Sequence, residues 1–438
     1  MKNKNEFAPS VQTIEPKKSQ KKTARKKRAK RFFAFLLAAI VLFVGITTVI
    51  SVIGLKANIN KAKSFPEAGC KQLKVENVKD GVWNIYADEL KVIQLSDTHF
   101  GGGWMSVKKD SMALNAVAAM ISAEKPDFVI ISGDMAYPVP FQAGTFNNKS
   151  GAKLVAELME TLGVYWTVSF GNHDTESYSY FDREEIVDFY EQYPHCLLRD
   201  GAQNVDGYGN QVFNIINSDG IITRSLFTVD SHSYVDNDYF GFMWKYDNIH
   251  ENQIEWYKNT VEENQKHNRM RILQSSQSDF GKKYIQLQKA PSSVFLHVPL
   301  SEYKDAWNEY VNNGYKDTVN VKYNYGVAGE SGKVVYPGIY EDNFFETMLE
   351  LGSTDSVFCG HDHLNNFSVN YKGIDLTYSY SVDYLAYVGI YKLGSQRGCT
   401  LINIGRNGEI EYGAENYYQE KYTSHYAKEE VTMQELGK

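Results

Sequence analysis

The sequence predicts an α/β protein, and two observations predict it. Short apolar runs rich in β-branched and aromatic residues alternate with segments of helical periodicity through the middle of the chain. Three successive runs, at 90–96, 127–132 and 165–170, each stop at a cluster of polar residues able to bind metals or move protons. At 438 residues the chain is long enough to bury a large core.

Charge divides the chain. Residues 1–31 hold 12 Lys/Arg and 2 Asp/Glu, leaving 34 basic and 51 acidic residues for the remainder. The arm therefore carries a net +10 and the rest −17. An acidic body argues against nucleic-acid binding, which needs clustered Lys/Arg on the folded surface. Residues 32–55 follow as 24 residues without a formal charge. At about 1.5 Å per residue this segment is long enough for a hydrocarbon core of about 30 Å, so a transmembrane helix is expected. The basic cluster lies wholly on its N-terminal flank, which predicts a cytoplasmic N-terminus and an external body. A cleaved signal peptide is the rival reading and would make the body secreted.

Residues 56–80 read as a polar stalk, and 82–86 and 90–96 as strands. The second strand ends at Asp97-Thr98-His99, a carboxylate and an imidazole on one side of an extended chain. A helix is expected over 113–124, then a buried strand ending at Gly133-Asp134, where the glycine permits the turn. A second crossover helix at 153–162 leads to the strand that ends at Gly171-Asn172-His173-Asp174. There Asn172 offers a neutral oxygen, His173 a proton, and Asp174 a carboxylate able to orient His173.

Beyond these units come a helix at 178–192, a loop at 200–210, strands at 211–216 and 225–229, and a helix at 252–266. His297 lies near the end of a strand read at 293–300. Residues 301–340 show little periodicity and read as a lid or loop insertion. A helix at 344–351 precedes a strand at 356–359 that runs into Gly360-His361-Asp362-His363. Strands follow at 378–385, 387–391 and 400–404. Ser231 and His232 read either as substrate contacts or as inert turn residues. The expected organisation is a basic arm (1–31), a membrane helix (32–55), a stalk (56–80), one domain (81–415) and a polar tail (416–438). Cys70, Cys196, Cys359 and Cys399 match no zinc spacing and read as small buried hydrophobes, with one disulfide open to them.

Taken in order, Asp97-x-His99, Gly133-Asp134, Gly171-Asn172-His173-Asp174, His297 and Gly360-His361-x-His363 resemble the calcineurin-like metallophosphoesterase superfamily across residues 90–365. Tyr137, His297-Val298-Pro299-Leu300 and the run from Gly360 to Asn365 are similar to its purple acid phosphatase-like branch. The purple enzymes carry glycine where His99 stands and use the tyrosine as an iron ligand, whereas this chain has both His99 and Tyr137. The resemblance implies a four-layer α/β/β/α sandwich of two mixed sheets with the site at the strand ends. It implies one metal held by Asp97, His99, Asp134 and His363, and a second by Asp134, Asn172, His297 and His361. It further implies that His173 lies over the phosphate, with Asp174 fixing its tautomer. The cofactors would be two divalent or mixed-valence transition ions, with Mn, Fe or Zn suiting a mixed N/O donor set. Two such cations activate water and neutralise phosphate oxygens. The expected function is hydrolysis of phosphate monoesters outside the cytoplasm. Alternatives are a phosphodiesterase or pyrophosphatase on nucleotides, lipid head groups or wall polymers, and a non-catalytic surface binding protein.

Overall fold

The computed structural model describes residues 17–275, 278–330, 332, 334–387 and 397–422. In chain order the strands are β1 (Lys74–Lys79), β2 (Val82–Tyr86), β3 (Leu90–Leu95), β4 (Phe128–Ser132), β5 (Tyr165–Ser169), β6 (Gln211–Ile216), β7 (Ile222–Thr228), β8 (Ser292–Phe295), β9 (Val321–Tyr325), β10 (Thr354–Cys359), β11 (Ser368–Tyr371), β12 (Ile374–Tyr378), β13 (Gly398–Ile404) and β14 (Ile410–Asn416). The helices are α1 (Lys17–Ala62), α2 (Val107–Glu124), α3 (Asn148–Leu162), α4 (Arg183–Tyr190), α5 (Glu251–Gln274), α6 (Ser278–Tyr284), α7 (Ser301–Asn312) and α8 (Phe344–Leu351).

Alternation of side chains along the strands builds the layers. In β4, Phe128 and Ile130 face a core shared with Phe213, Phe295 and Phe358 of the other sheet. Val129 and Ile131 face the opposite way, among Leu114, Val117, Leu154 and Leu158 of α2 and α3. Both faces are therefore covered, which is why β4 reads as an unbroken apolar run. A third core covers the outer face of the larger sheet with Tyr257, Tyr303, Trp307 and Phe344 from α5, α7 and α8. The result is the α/β/β/α layering that the resemblance implied.

The smaller sheet has the order β14-β13-β3-β4-β5, and the larger the order β1-β2-β6-β7-β8-β10-β12-β11-β9. Both are mixed. Strands β3, β4 and β5 run parallel, whereas β13 is antiparallel to β3. Strands β7, β8, β10 and β12 form the parallel centre of the larger sheet. Functional residues follow β3, β4 and β5 in one sheet and β8 and β10 in the other, so all leave at carboxyl ends of parallel strands.

The chain separates into two compact units, residues 1–50 and 51–438. In the first, the side chains of residues 25–46 are exposed and strongly apolar from Phe32 onward. The described residues include one helix long and apolar enough to cross a membrane. Residues 1–16 of the predicted arm lie outside the described set.

Several sequence expectations need correction. Residues 56–80 are not a free stalk: Ala62, Phe65, Ala68 and Cys70 are buried in the core beneath α2 and α3, and Asn58 Nδ2 donates to the Val107 carbonyl at 2.9 Å. Residues 301–340 are not a structureless lid. Tyr303, Ala306, Trp307 and Tyr310 form the buried face of α7, and their i, i+3, i+4, i+7 spacing is helical. The helix expected over 178–192 is shorter, because Asp182 accepts the Glu185 N–H and starts α4 there. The strand expected over 378–385 stops at Tyr378. Beyond it the Asp383 carboxylate accepts the backbone N–H groups of Leu385 and Ala386 at 2.6 and 2.7 Å, in place of a strand ladder. Of the strand expected at 387–391, residues 388–391 lie outside the described set. Tyr417 and Tyr422, placed in the polar tail, are buried in the core, while 423–438 lie outside the described residues. All four cysteines are buried and free.

Candidate metal centre

Each cluster turns sharply as its strand ends. Asp97, His99, Asp134 and His361 all have positive φ, at 51°, 44°, 51° and 77°. Non-glycine residues avoid this region, so the surrounding structure must hold four strained positions at once. Three glycines make room for them. A Cβ on Gly133 would lie 2.4 Å from His297 Nδ1, one on Gly171 2.2 Å from Asp134 Oδ1, and one on Gly360 1.7 Å from Ser96 Oγ. Backbones and ligand atoms come closer here than any side chain allows.

The structure gathers Asp97, His99, Asp134 and His363 so that one ligand atom from each lies within 4.8 Å of the others. Asp134, His297 and His361 form a second such group. Asp134 belongs to both. Its Oδ2 lies 3.3 Å from His99 Nε2 and 3.1 Å from His297 Nε2, and Asp97 Oδ1 lies 3.3 Å from His363 Nε2. Asn172 joins the second group, with Oδ1 3.2 Å from His297 Nε2 and Nδ2 donating to Tyr234 Oη at 3.0 Å.

A hydrogen bond on the far side of its ring fixes which nitrogen of His297 faces inward. His297 Nδ1 meets the Ser132 carbonyl at 2.9 Å, which leaves Nε2 for the cluster. His99 Nδ1 and His363 Nδ1 each lie 3.5 Å from the Asp383 carboxylate. Burial opposes the negative charge of Asp134. The charges of His297 and His173 and the bonds from His297 and His99 outweigh it and hold the carboxyl well below its usual range. Burial, assisted by His297, pushes His361 well below its ordinary value, which leaves a neutral imidazole. Imidazole nitrogens, carboxylates including the shared Asp134, and an amide oxygen make a donor set that fits a pair of borderline transition cations.

The pairing of His173 differs from expectation. Its Nδ1 bonds Glu176 Oε1 at 2.6 Å, not Asp174. Asp174 turns inward and accepts the backbone N–H groups of Asp134, Ala136 and Gly171 at 3.0, 2.8 and 2.8 Å. It is a strut beneath the β4 and β5 turns, and burial next to Asp134 pushes its carboxyl up to about 6. His173 also donates its backbone N–H to Asp134 Oδ1 at 2.8 Å.

Two groups were missed by the sequence reading. Glu176 could have been found, because an acid three residues past His173 in a turn folds back as easily as its neighbour. Asp383 had no local signal, since it comes from the loop beyond β12 and reaches the site only through the fold. Asp362 faces away, accepting from Tyr378 Oη at 2.6 Å, as its place between two inward histidines implied. The Tyr137 ring stands against His99, with centroids 4.8 Å apart, and its hydroxyl donates to Gln142. The cluster opens into a cleft of about 340 Å³ walled by Tyr137, Trp244, Tyr246, Glu330, Tyr336 and Tyr387.

The model of the calcineurin-like phosphoesterase family matches residues 90–365. The chain belongs to that family. Among its relatives, probable inactive purple acid phosphatase 14 of Arabidopsis thaliana is 29% identical, covering 68% of this chain and 71% of the relative. Probable inactive purple acid phosphatase 29 of the same plant is 26% identical over 73% of this chain and 77% of its own length. The phosphatase DCR2 of Saccharomyces cerevisiae is 26% identical, and the match spans 64% of this chain but 45% of the yeast protein. A solved dimetal phosphatase from Danio rerio is 9% identical with a TM-score of 0.40, covering 74% of this chain and 98% of that one. The matched region thus contains both groups of ligand-type side chains, while Tyr387 of the cleft wall lies beyond it.

Proposed function

We propose that this chain is an active phosphoesterase that hydrolyses phosphate monoesters with two transition-metal ions. The observation that carries this is the complete donor set around Asp134, with no ligand position lost. The plant relatives bear the word inactive in their names, and in this chain the intact set argues for turnover. Asp97, His99, Asp134 and His363 would hold one ion, and Asp134, Asn172, His297 and His361 the other. When bound, the pair supplies the Lewis acidity that activates water and neutralises phosphate oxygens.

The chain's own residues do the rest. His173 faces the cleft with Nδ1 tied to Glu176, so Nε2 is free to protonate a leaving-group oxygen or to bond a phosphoryl oxygen. Asp383 orients His99 and His363 from behind. Asp174 supports the turns that carry Asp134 and Asn172. We place the basic arm in the cytoplasm and the body outside. Protease added to intact cells then degrades the body, and a protected body refutes this topology.

The test of activity compares p-nitrophenyl phosphate with bis-p-nitrophenyl phosphate, using the compact body from Ser51 reloaded separately with Mn, Fe and Zn. A monoester preference supports the reading. A diester preference moves the assignment to phosphodiester cleavage. Two bound metals without hydrolysis of either ester overturn it.

A further inference from the structure

The hairpin that supplies Trp244 to the cleft carries an apolar tip that the hydrolytic reading leaves unused. Tyr234 and Tyr246 pair as an antiparallel bridge at its base, with ring centroids 5.5 Å apart. Its turn is braced from inside: the buried Asp238 carboxylate accepts the N–H groups of Met243 and Lys245, each at 3.0 Å. Beyond that brace five large apolar side chains are more than half exposed. Tyr239 is 63% exposed, Phe240 52%, Phe242 83%, Met243 52% and Trp244 66%. Their nearest ring contacts are with one another, Tyr239 to Phe240 at 5.2 Å and Phe240 to Phe242 at 5.9 Å.

Soluble surfaces scatter single apolar residues and seldom place five within six positions on a braced turn. Mixed Trp, Tyr, Phe and Met is the composition that settles at the boundary between lipid head groups and acyl chains. The same chain carries a helix able to cross a bilayer.

We propose that the tip at 239–244 inserts into the surface of a lipid bilayer and sets the metal cleft at head-group level. Trp244 belongs to both the tip and the cleft wall, so insertion delivers the cleft to phosphate esters held in the membrane. The substrate class is then an amphiphilic phosphate whose acyl part stays in the bilayer. This second part rests on the phosphoesterase reading; the insertion itself does not. Because the body is acidic, apolar burial drives the contact, and added salt leaves it in place.

The test places a nitroxide on Phe242→Cys in the full chain, held in phosphatidylcholine nanodiscs. All four native cysteines are buried, so labelling is selective. Val319→Cys, at a position 96% exposed between α7 and β9, is the water-facing control. Insertion predicts that oxygen relaxes the Phe242→Cys label severalfold more strongly than a water-soluble nickel complex does, and that high salt does not change this. Equal accessibility at the two positions overturns the proposal. Dipolar broadening of the Phe242→Cys label also overturns it, since it would mean that a second copy of the chain covers the tip. A kinetic arm uses Phe242→Asp, outside the cleft lining. The rate on a phosphatidic acid in vesicles is expected to fall at least tenfold, with p-nitrophenyl phosphate unaffected. If p-nitrophenyl phosphate is not cleaved by the native chain, the phosphoesterase reading fails while the label still decides insertion. If both substrates are cleaved and Phe242→Asp cleaves both normally, the amphiphile assignment fails.

Discussion

Replacing Glu176 by glutamine tests whether His173 works as a positioned proton donor. The buried carboxylate lies 2.6 Å from Nδ1, a charge-assisted bond, and glutamine keeps its shape and its acceptor oxygen while removing the charge. Bonds to charged groups contribute about 1.5–3 kcal/mol against about 1 for neutral ones, so the difference is about 0.5–2 kcal/mol. At about 1.4 kcal/mol per decade, kcat should fall roughly 2- to 30-fold. Metal content should be unchanged, because Glu176 touches neither ligand group. The loss should be larger for an alkyl phosphate, whose leaving group needs a proton, than for p-nitrophenyl phosphate, whose leaving group does not. A double-mutant cycle with His173→Ala completes the assay: once His173 is gone, Glu176→Gln should cost nothing further. Equal losses across leaving groups, or a full second loss in the double variant, would refute the reasoning.

Further substitutions probe the frame around the site. Asp134→Asn should release metal from both groups and abolish turnover, because both groups share Asp134; plasma emission spectrometry and kinetics read the two effects together. Gly171→Ala puts a methyl 2.2 Å from Asp134 Oδ1, and it should lose metal while near-ultraviolet dichroism reports a largely intact core. Arg183→Met strands Asp230, a buried carboxylate whose other donors are the Tyr208 and His232 amides. Breaking such a pair costs about 3–5 kcal/mol near neutral pH. Burial opposes the charge of Asp230, but Arg183 and His232 outweigh burial and hold the carboxyl below its ordinary value. A depressed carboxylate contributes stability above its unfolded value of about 3.9 and loses it as pH falls. The gap in Tm between native chain and variant should therefore be widest near neutral pH and narrow below about pH 4; a gap constant with pH in calorimetry argues against this pairing.

What was legible in the sequence was what repeats locally. Strands β3, β4 and β5 announce themselves as apolar runs that stop at a glycine or an acid, and their helices as periodic stretches. The ligand-type residues sit at those stops and at the end of β10, so Asp97, Asp134, Asn172, His361 and His363 could be marked from the sequence. The partner of His173 was misread because adjacency suggested Asp174, whereas the tight turn after β5 points that carboxylate at three backbone amides and leaves Glu176 to reach the ring. Asp383 was invisible because its role depends on a loop approaching from another strand. The 301–340 segment misled because tyrosine and asparagine obscure the helical spacing of Tyr303, Trp307 and Tyr310.

The pairing of β3 with β13 bears on the order in which the protein matures. Ile93, in the first strand of the smaller sheet, aligns with Leu401, and Ser96 bridges to Ser381. A chain made from its amino end therefore displays Asp97, His99, Asp134 and Asn172 long before His361, His363, Asp383 and the strand that closes the smaller sheet exist. The group with His297 is whole only once synthesis has passed residue 361, and the group with His99 only once it has passed residue 363. Capture of metal by either complete group would then be a late event of biogenesis.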